Sequence, residues 1–180
     1  MIAARSLMFL LVTLLPLAAG DVPRAAPEIT VKIFGGGSLS LEQLRGKVVM
    51  MMFFSTDCSH CQTTTRLLGP IYDELKPQGF EIVGVAINPS AAGNLGTFAK
   101  NFGAKFPLAL GTRSDCTRFA EISVMARFYV PYLFFVDRNG NIREDHEGGD
   151  KRFFGDQTKN IRATVEALLK EPAKGKKPTS

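Results

Sequence analysis

Cys58-Ser59-His60-Cys61 is the segment of this chain whose residue types and spacing suit covalent chemistry. With two residues between the thiols, the second sulfur can reach the first and close a short-ring disulfide. The chemistry that follows is exchange. Cys58 attacks a substrate disulfide, or is attacked by a substrate thiolate, a mixed disulfide forms, and Cys61 resolves it. His60 lies between the two cysteines, where an imidazole favours the Cys58 thiolate, destabilises the disulfide and makes the pair more oxidising.

The elements around the motif support this reading. Val48 to Phe54 (VVMMMFF) is seven apolar residues in a row, the pattern of a strand covered on both faces. Ser59 to about Lys76 is expected to be helical, with Leu67, Leu68, Ile71, Tyr72 and Leu75 at helical spacing and a kink at Pro70. The pair thus stands where a buried strand gives way to a helix. Free N–H groups and the helix dipole at that end favour a thiolate on Cys58.

The same residues leave a structural disulfide, a pair of inert thiols or a metal site as alternatives. Structural zinc asks for four ligands, and no second Cys pair is present, so His146 and Cys116 would have to be brought in by the fold. Gln62 follows Cys61, which excludes the Cys-x-x-Cys-His haem attachment motif. Cys116, near the start of an expected helix, reads as a lone buried thiol, with a reactive or resolving thiol as the alternative, and Asp57 as a solvated loop residue, with a local acid beside Cys58 as the alternative. Tyr129 and Tyr132 suit either a substrate groove or strand packing. His146, among Glu144, Asp145 and Glu147, reads as solvated.

The rest of the chain alternates strand and helix. Ile29 to Phe34 is expected as an edge strand, followed by a turn at Gly35-Gly36-Gly37 and a short helix capped by Ser40 and ending before Gly46. Phe80 to Ile87 and Tyr132 to Val136 read as buried strands, with a short strand between them at Phe106 to Leu110. Helices are expected over Ala91–Phe102, from a Ser114 cap to about Ile122, and over Gln157–Leu169. Asp137-Arg138-Asn139-Gly140 is a hairpin turn returning the chain through Asn141 to Glu147. This order places helices on both faces of a mixed central sheet.

The chain has 180 residues, with 45% hydrophobic and 22% charged residues, which is the balance of a single globular domain with tails. Three cysteines are too few for a disulfide scaffold. The net charge of +5 sits largely outside the domain, because the tail from Lys170 holds four Lys against one Glu and Arg5 lies in the N-terminal segment. A nucleic-acid partner, which calls for a basic face on the folded domain, is therefore not expected. Residues 1–20 read as a secretory signal: Arg5, an apolar run from Leu7 to Leu17, then Ala18-Ala19-Gly20. An uncleaved N-terminal anchor is the alternative. Residues 21–28 read as a linker, 29–169 as the domain and 170–180 as a disordered basic tail. An exported, periplasmic or otherwise extracytoplasmic location permits disulfide chemistry.

From about Ile29 to Leu169 the chain resembles the TlpA/ResA-like group of exported thioredoxin-fold thiol–disulfide oxidoreductases. The marks are SLSLEQLRGKVVMMMFFSTDCSHC, GFEIVGVAI and VPYLFFVDRNGNI. The resemblance implies a thioredoxin-like, three-layer α/β fold and a redox pair at Cys58 and Cys61. It further implies a cis-proline at Pro131, facing the disulfide beside Val130 and Tyr132, where an extended substrate chain docks. It implies no cofactor, substrate proteins carrying thiols or disulfides, a redox partner protein that could be membrane-bound, and a monomer. The chain departs from related proteins in the Phe54-Ser55-Thr56-Asp57 approach, which replaces a Trp-rich one. Thr64 and Met52 stand where relatives place acids that assist deprotonation of the second cysteine. His60 resembles the Cys-Pro-His-Cys of DsbA-type oxidases, with Ser59 replacing their Pro.

Two other readings share this fold. A peroxiredoxin-like thiol peroxidase wants Thr or Ser three before its cysteine, which Ser55 supplies, and a Pro where Met51 stands. A Sco-like metal-binding chaperone uses three residues between its cysteines and a His near the position of Val130-Pro131, and has neither here.

Overall fold

Seven consecutive apolar side chains can be buried only if both faces of their strand are covered. In the computed structural model, which describes residues 21–173, Val48–Phe54 is that strand. The strands are β1 (Arg24–Ala25), β2 (Thr30–Ile33), β3 (Ser38–Ser40), β4 (Val48–Phe54), β5 (Phe80–Ala86), β6 (Leu108–Leu110), β7 (Tyr132–Val136) and β8 (Asn141–His146). The helices are α1 (Ser59–Leu75), α2 (Ala91–Phe102), α3 (Arg113–Ala120), α4 (Lys151–Gly155) and α5 (Gln157–Lys170). The strands form one mixed sheet in the order β1-β8-β7-β4-β5-β6-β2-β3, with β4, β5 and β6 parallel and β7 antiparallel to β4.

The pleat of β4 divides the core in two. Val48, Met50, Met52 and Phe54 face α1, α2 and α5, packing with Leu68, Ile71, Leu95, Phe98, Ile161 and Val165. Val49, Met51 and Phe53 face the opposite side, where Cys116, Phe119 and Ala120 of α3 cover them. Phe119 lies between Phe53 and Phe134, with ring centroids 5.7 and 5.1 Å away. This is the three-layer arrangement with helices on both faces. It leaves the C-terminal end of β4 at the middle of the sheet, where a parallel neighbour (β5) and an antiparallel one (β7) diverge. Ligand sites in open α/β sheets form outside the carboxyl ends of the strands.

Several local expectations are revised. Residues 21–28, expected as a linker, contribute β1, which pairs with β8; Ala26 is buried, and Arg24 reaches Glu121 and Asp145. The segment Ile29–Phe34 is not at an edge, because the Gly35–Gly37 turn folds β3 back outside β2. Thr112, rather than Ser114, caps α3: its hydroxyl accepts the Asp115 N–H and the Asp115 carboxylate accepts the Thr112 N–H. Pro70 is accommodated inside one continuous α1. Helix α4 has only five residues, too few for a periodic pattern to show in sequence. The signal segment 1–20 and the tail residues 174–180 lie outside the described residues. Lys170 belongs to α5, and Glu171 pairs with Arg143.

Candidate active site

The chain leaves β4 through Ser55–Asp57 and enters α1 with Cys58 at its N-cap. N-caps are usually oxygen side chains that accept a free helix N–H. Here the Cys58 sulfur takes that place, accepting the Cys61 N–H at 3.2 Å. One turn along, Cys61 is fully buried while Cys58 is half-exposed, and both are free thiols. The two sulfurs are treated oppositely. The hydrogen bond from the Cys61 thiol is the largest influence on Cys58 and, with the Cys61 and His60 backbone N–H groups, outweighs partial burial to lower its pKa to about 6. Burial, and then the bond to Cys58, push the Cys61 thiol far up. At neutral pH, Cys58 is the thiolate and Cys61 holds the proton.

His60 contributes to the low Cys58 pKa less than sequence suggests. Its imidazole charge ranks after the backbone N–H of the same residue. The exposed ring instead borders a groove of about 470 Å³ formed by Ser59, Thr63 and Thr64 of α1 with Lys151 and Phe154 of α4. Thr64, where relatives carry an acid, is buried and donates to the Gln157 side chain at 2.8 Å. Met52 is fully buried in the core.

The Val130–Pro131 peptide bond is cis, and Pro131 is buried. The Cys58 sulfur lies 3.6 Å from the Val130 carbonyl oxygen, to which its thiol form donates, so this loop does face the redox pair. Tyr132, expected beside a substrate groove, lies in the core on the other face of β7. It stacks on Phe134 with centroids 4.3 Å apart, and its hydroxyl reaches Asp145. The alternation of side chains along β7 turns it away from Cys58. Tyr129, by contrast, is about half exposed with Arg127 over its ring. Cys116 is buried on the sheet-facing side of α3, and desolvation pushes its thiol up to about 12. No group of three or more His, Cys, Asp or Glu side chains among the described residues is placed to hold a metal ion.

The model of the AhpC/TSA family matches residues 22–145, well over half of the chain. The chain belongs to the AhpC/TSA family. The chain is 26% identical over 139 residues to a thiol-disulfide oxidoreductase ResA of Bacillus cereus, covering 77% of this chain and 73% of that one. ResA of Geobacillus kaustophilus is 25% identical over 123 residues, covering 68% of this chain and 67% of that one. A putative thiol:disulfide interchange protein DsbE from Chlorobium tepidum superposes with a TM-score of 0.69 at 21% identity, covering 83% of this chain and 98% of that one. A putative protein disulfide isomerase from Bacteroides thetaiotaomicron superposes at 0.67 and 25% identity, over 86% and 96%. The fold is thioredoxin-like, and the resemblance to TlpA/ResA-like proteins holds across most of the domain.

The AhpC/TSA scaffold here brings in residues that sequence reasoning passed over. Asn88, just beyond β5, accepts the Thr56 N–H on its Oδ1 at 3.0 Å and donates through Nδ2 to Thr56 Oγ1 and Asp57 Oδ2. Gly148 lies against the cis-Pro loop, and its N–H donates to the Tyr129 carbonyl at 2.9 Å. The one available signal for Asn88 was position: a polar residue directly after a buried parallel strand. His146, read as solvated, stacks on Phe153 at 3.7 Å and binds Glu144 and Asp150. Its strand faces α4, which the sequence did not reveal.

Proposed function

We propose that this chain is a thiol–disulfide oxidoreductase that exchanges disulfides with partner proteins through Cys58 and Cys61, without a cofactor. One observation carries this reading: a half-exposed sulfur held as thiolate accepts the backbone N–H of the residue one helical turn along, whose own buried sulfur is held as thiol. In the reducing direction the Cys58 thiolate attacks a substrate disulfide, that S–S bond breaks, and a substrate thiolate leaves. Cys61 then gives up its proton to the released substrate thiolate and attacks the Cys58 sulfur. The second substrate thiolate departs, and two electrons have passed from the pair to the substrate. The oxidising direction is the reverse. Burial and the neighbouring Cys58 thiolate both keep Cys61 protonated, and formation of the mixed disulfide removes the second of these.

Val130 and Pro131 are the residues proposed to meet the substrate chain, since the Val130 carbonyl already lies at Cys58. His60 is proposed to act at the rim of the α1–α4 groove. Export is part of the reading, resting on residues 1–20. No helix among the described residues is long and apolar enough to cross a membrane.

The test combines trapping with a potential. Cys58→Ser is expected to abolish exchange with a protein disulfide, and Cys61→Ser to accumulate mixed disulfides. Parent-level exchange by Cys58→Ser, or rapid peroxide consumption by the reduced protein in place of exchange, would sink the proposal. Equilibration with thiol–disulfide buffers then assigns direction. A potential near about −270 mV marks a reductase, and one between roughly −180 and −120 mV an oxidase or isomerase.

A further inference from the structure

Asp57 stands directly before Cys58 in sequence, and a carboxylate beside a thiolate opposes it. The fold pulls these two side chains in opposite directions. Strand β4 lies between β7 and β5. Cys58 is drawn towards the β7 side, where its sulfur meets the Val130 carbonyl. Asp57 is drawn towards the β5 side. Its Oδ2 accepts from Asn88 Nδ2 at 3.1 Å and from the Ser90 hydroxyl at 3.0 Å, and its Oδ1 from the Thr56 hydroxyl at 3.4 Å. The Asn88 amide is itself fixed in orientation, because its Oδ1 is occupied by the Thr56 N–H and its two Nδ2 hydrogens are shared among Asp57 Oδ2, Thr56 Oγ1 and Ser90 Oγ, the last two at 2.8 Å. Gln62 of α1 secures the same loop by donating to the Thr56 carbonyl at 3.0 Å.

We propose that Asn88, assisted by Ser90, is a positioning residue that holds the Asp57 carboxylate on the β5 side of the active-site loop, so that its charge does not act at full strength on Cys58. This deepens the exchange reading, on which it rests for the role of the thiolate. The other ionisable groups around Cys58 are Cys61 and His60 on α1. Glu147, from the β8–α4 loop, is engaged by the Tyr129 N–H at 2.7 Å. None of these is released by changing Asn88.

The experiment is a pH titration of the reduced protein followed by thiolate absorbance at 240 nm, in Asn88→Ala, Asp57→Asn and the double variant. This reads Cys58 ionisation whether or not the protein exchanges disulfides, so it fails independently of the exchange assay. Cys61 and Cys116 titrate well above the range examined. Asn88→Ala removes one of three donors to the exposed carboxylate and leaves the Ser90 and Thr56 hydroxyls, so the loosened charge is expected to lower the thiolate-to-thiol ratio about threefold, less so in high salt. Ser90→Ala, a milder change, is expected to move the ratio in the same direction by a smaller factor. In the Asp57→Asn background Asn88→Ala is expected to change nothing, since no charge remains to be restrained. An unchanged titration in Asn88→Ala, or an equal change with and without Asp57, would overturn the proposal. The second result would mean that Asn88 acts on the shape of the loop and not on the charge.

Discussion

Replacing Cys61 by Ala removes the thiol whose hydrogen bond is the largest cause of the low Cys58 pKa. The Cys61 and His60 backbone N–H groups remain, opposed by burial. With its pKa at about 6, Cys58 is about nine-tenths thiolate at pH 7, whereas an ordinary thiol near 8.5 is only about 3% ionised there. Losing the strongest donor is expected to move the midpoint from about 6 to about 8, leaving roughly a tenth as thiolate at pH 7. The alkylation rate at pH 7 is a poor reporter of this change. Each thiolate becomes more nucleophilic as its pKa rises, by about six- to tenfold over two pH units, which nearly cancels the tenfold loss in population. The midpoint is not compensated. The assay is therefore iodoacetamide reactivity against pH, beside absorbance at 240 nm. A midpoint that stays at about 6 in Cys61→Ala would refute the reasoning and leave the helix-end N–H groups as the cause. Stability follows the same linkage. Cys58 titrates lower folded than unfolded, so the dithiol form gains stability as pH rises from about 6 towards 8.5 and loses it as pH falls through 6. The disulfide form has no such dependence. The stability gap between the two forms is expected to change across that window in the parent, and the stability of Cys61→Ala, which forms no such disulfide, is expected to vary less with pH than that of the reduced parent.

Three further outcomes are expected. Gly148→Ala would bring a Cβ to 2.7 Å from the Val130 carbonyl oxygen and 2.9 Å from its carbon, backbone atoms that cannot swing aside. Displacing the cis-Pro loop should slow exchange by more than it lowers Tm, and a variant with parent kinetics would show that this loop does not set the reaction geometry. Phe119→Ala empties the space between Phe53 and Phe134 and should cost about 3–5 kcal/mol in urea unfolding; a loss below about 1 kcal/mol would mean that α3 collapses into the gap. Burial works against the His146 charge, but the Glu144 and Asp150 hydrogen bonds outweigh it and raise its pKa. Its contribution is therefore fully present below about 6.5 and lost as pH rises through the folded value, so urea melts of His146→Gln should lose most against the parent at pH 5.5 and least at pH 8.

The cysteine pair, the strand before it and the helix after it were legible because their signals are local. Seven apolar residues, a two-residue spacing and a 3.6-residue period need no distant partner to be read. The Asp137–Gly140 hairpin was legible for the same reason, with Gly140 at a φ of 82° that its turn requires. What the sequence left open depends on pairing between segments far apart in the chain. Ile29–Phe34 reads as an edge strand because an alternating pattern does not say whether a second strand will cover its outer side, and β3 does. Residues 21–28 look like linker because a two-residue strand has no periodicity, and it is held by β8, which lies over a hundred residues away in the chain. Tyr132 and His146 flank the motifs of interest in sequence, yet strand alternation and the five residues of α4 decide that one is core and the other a half-buried ion-pair partner. The chemistry of the site divides in the same way. Sequence alone determined that two thiols meet at a helix start. The helix start already favours the thiolate on Cys58; only the tertiary structure decided how far apart the two ionisations lie, because Cys61 is completely buried and Cys58 only partly. It also decided where the Asp57 charge goes, because Asn88 arrives from a different strand.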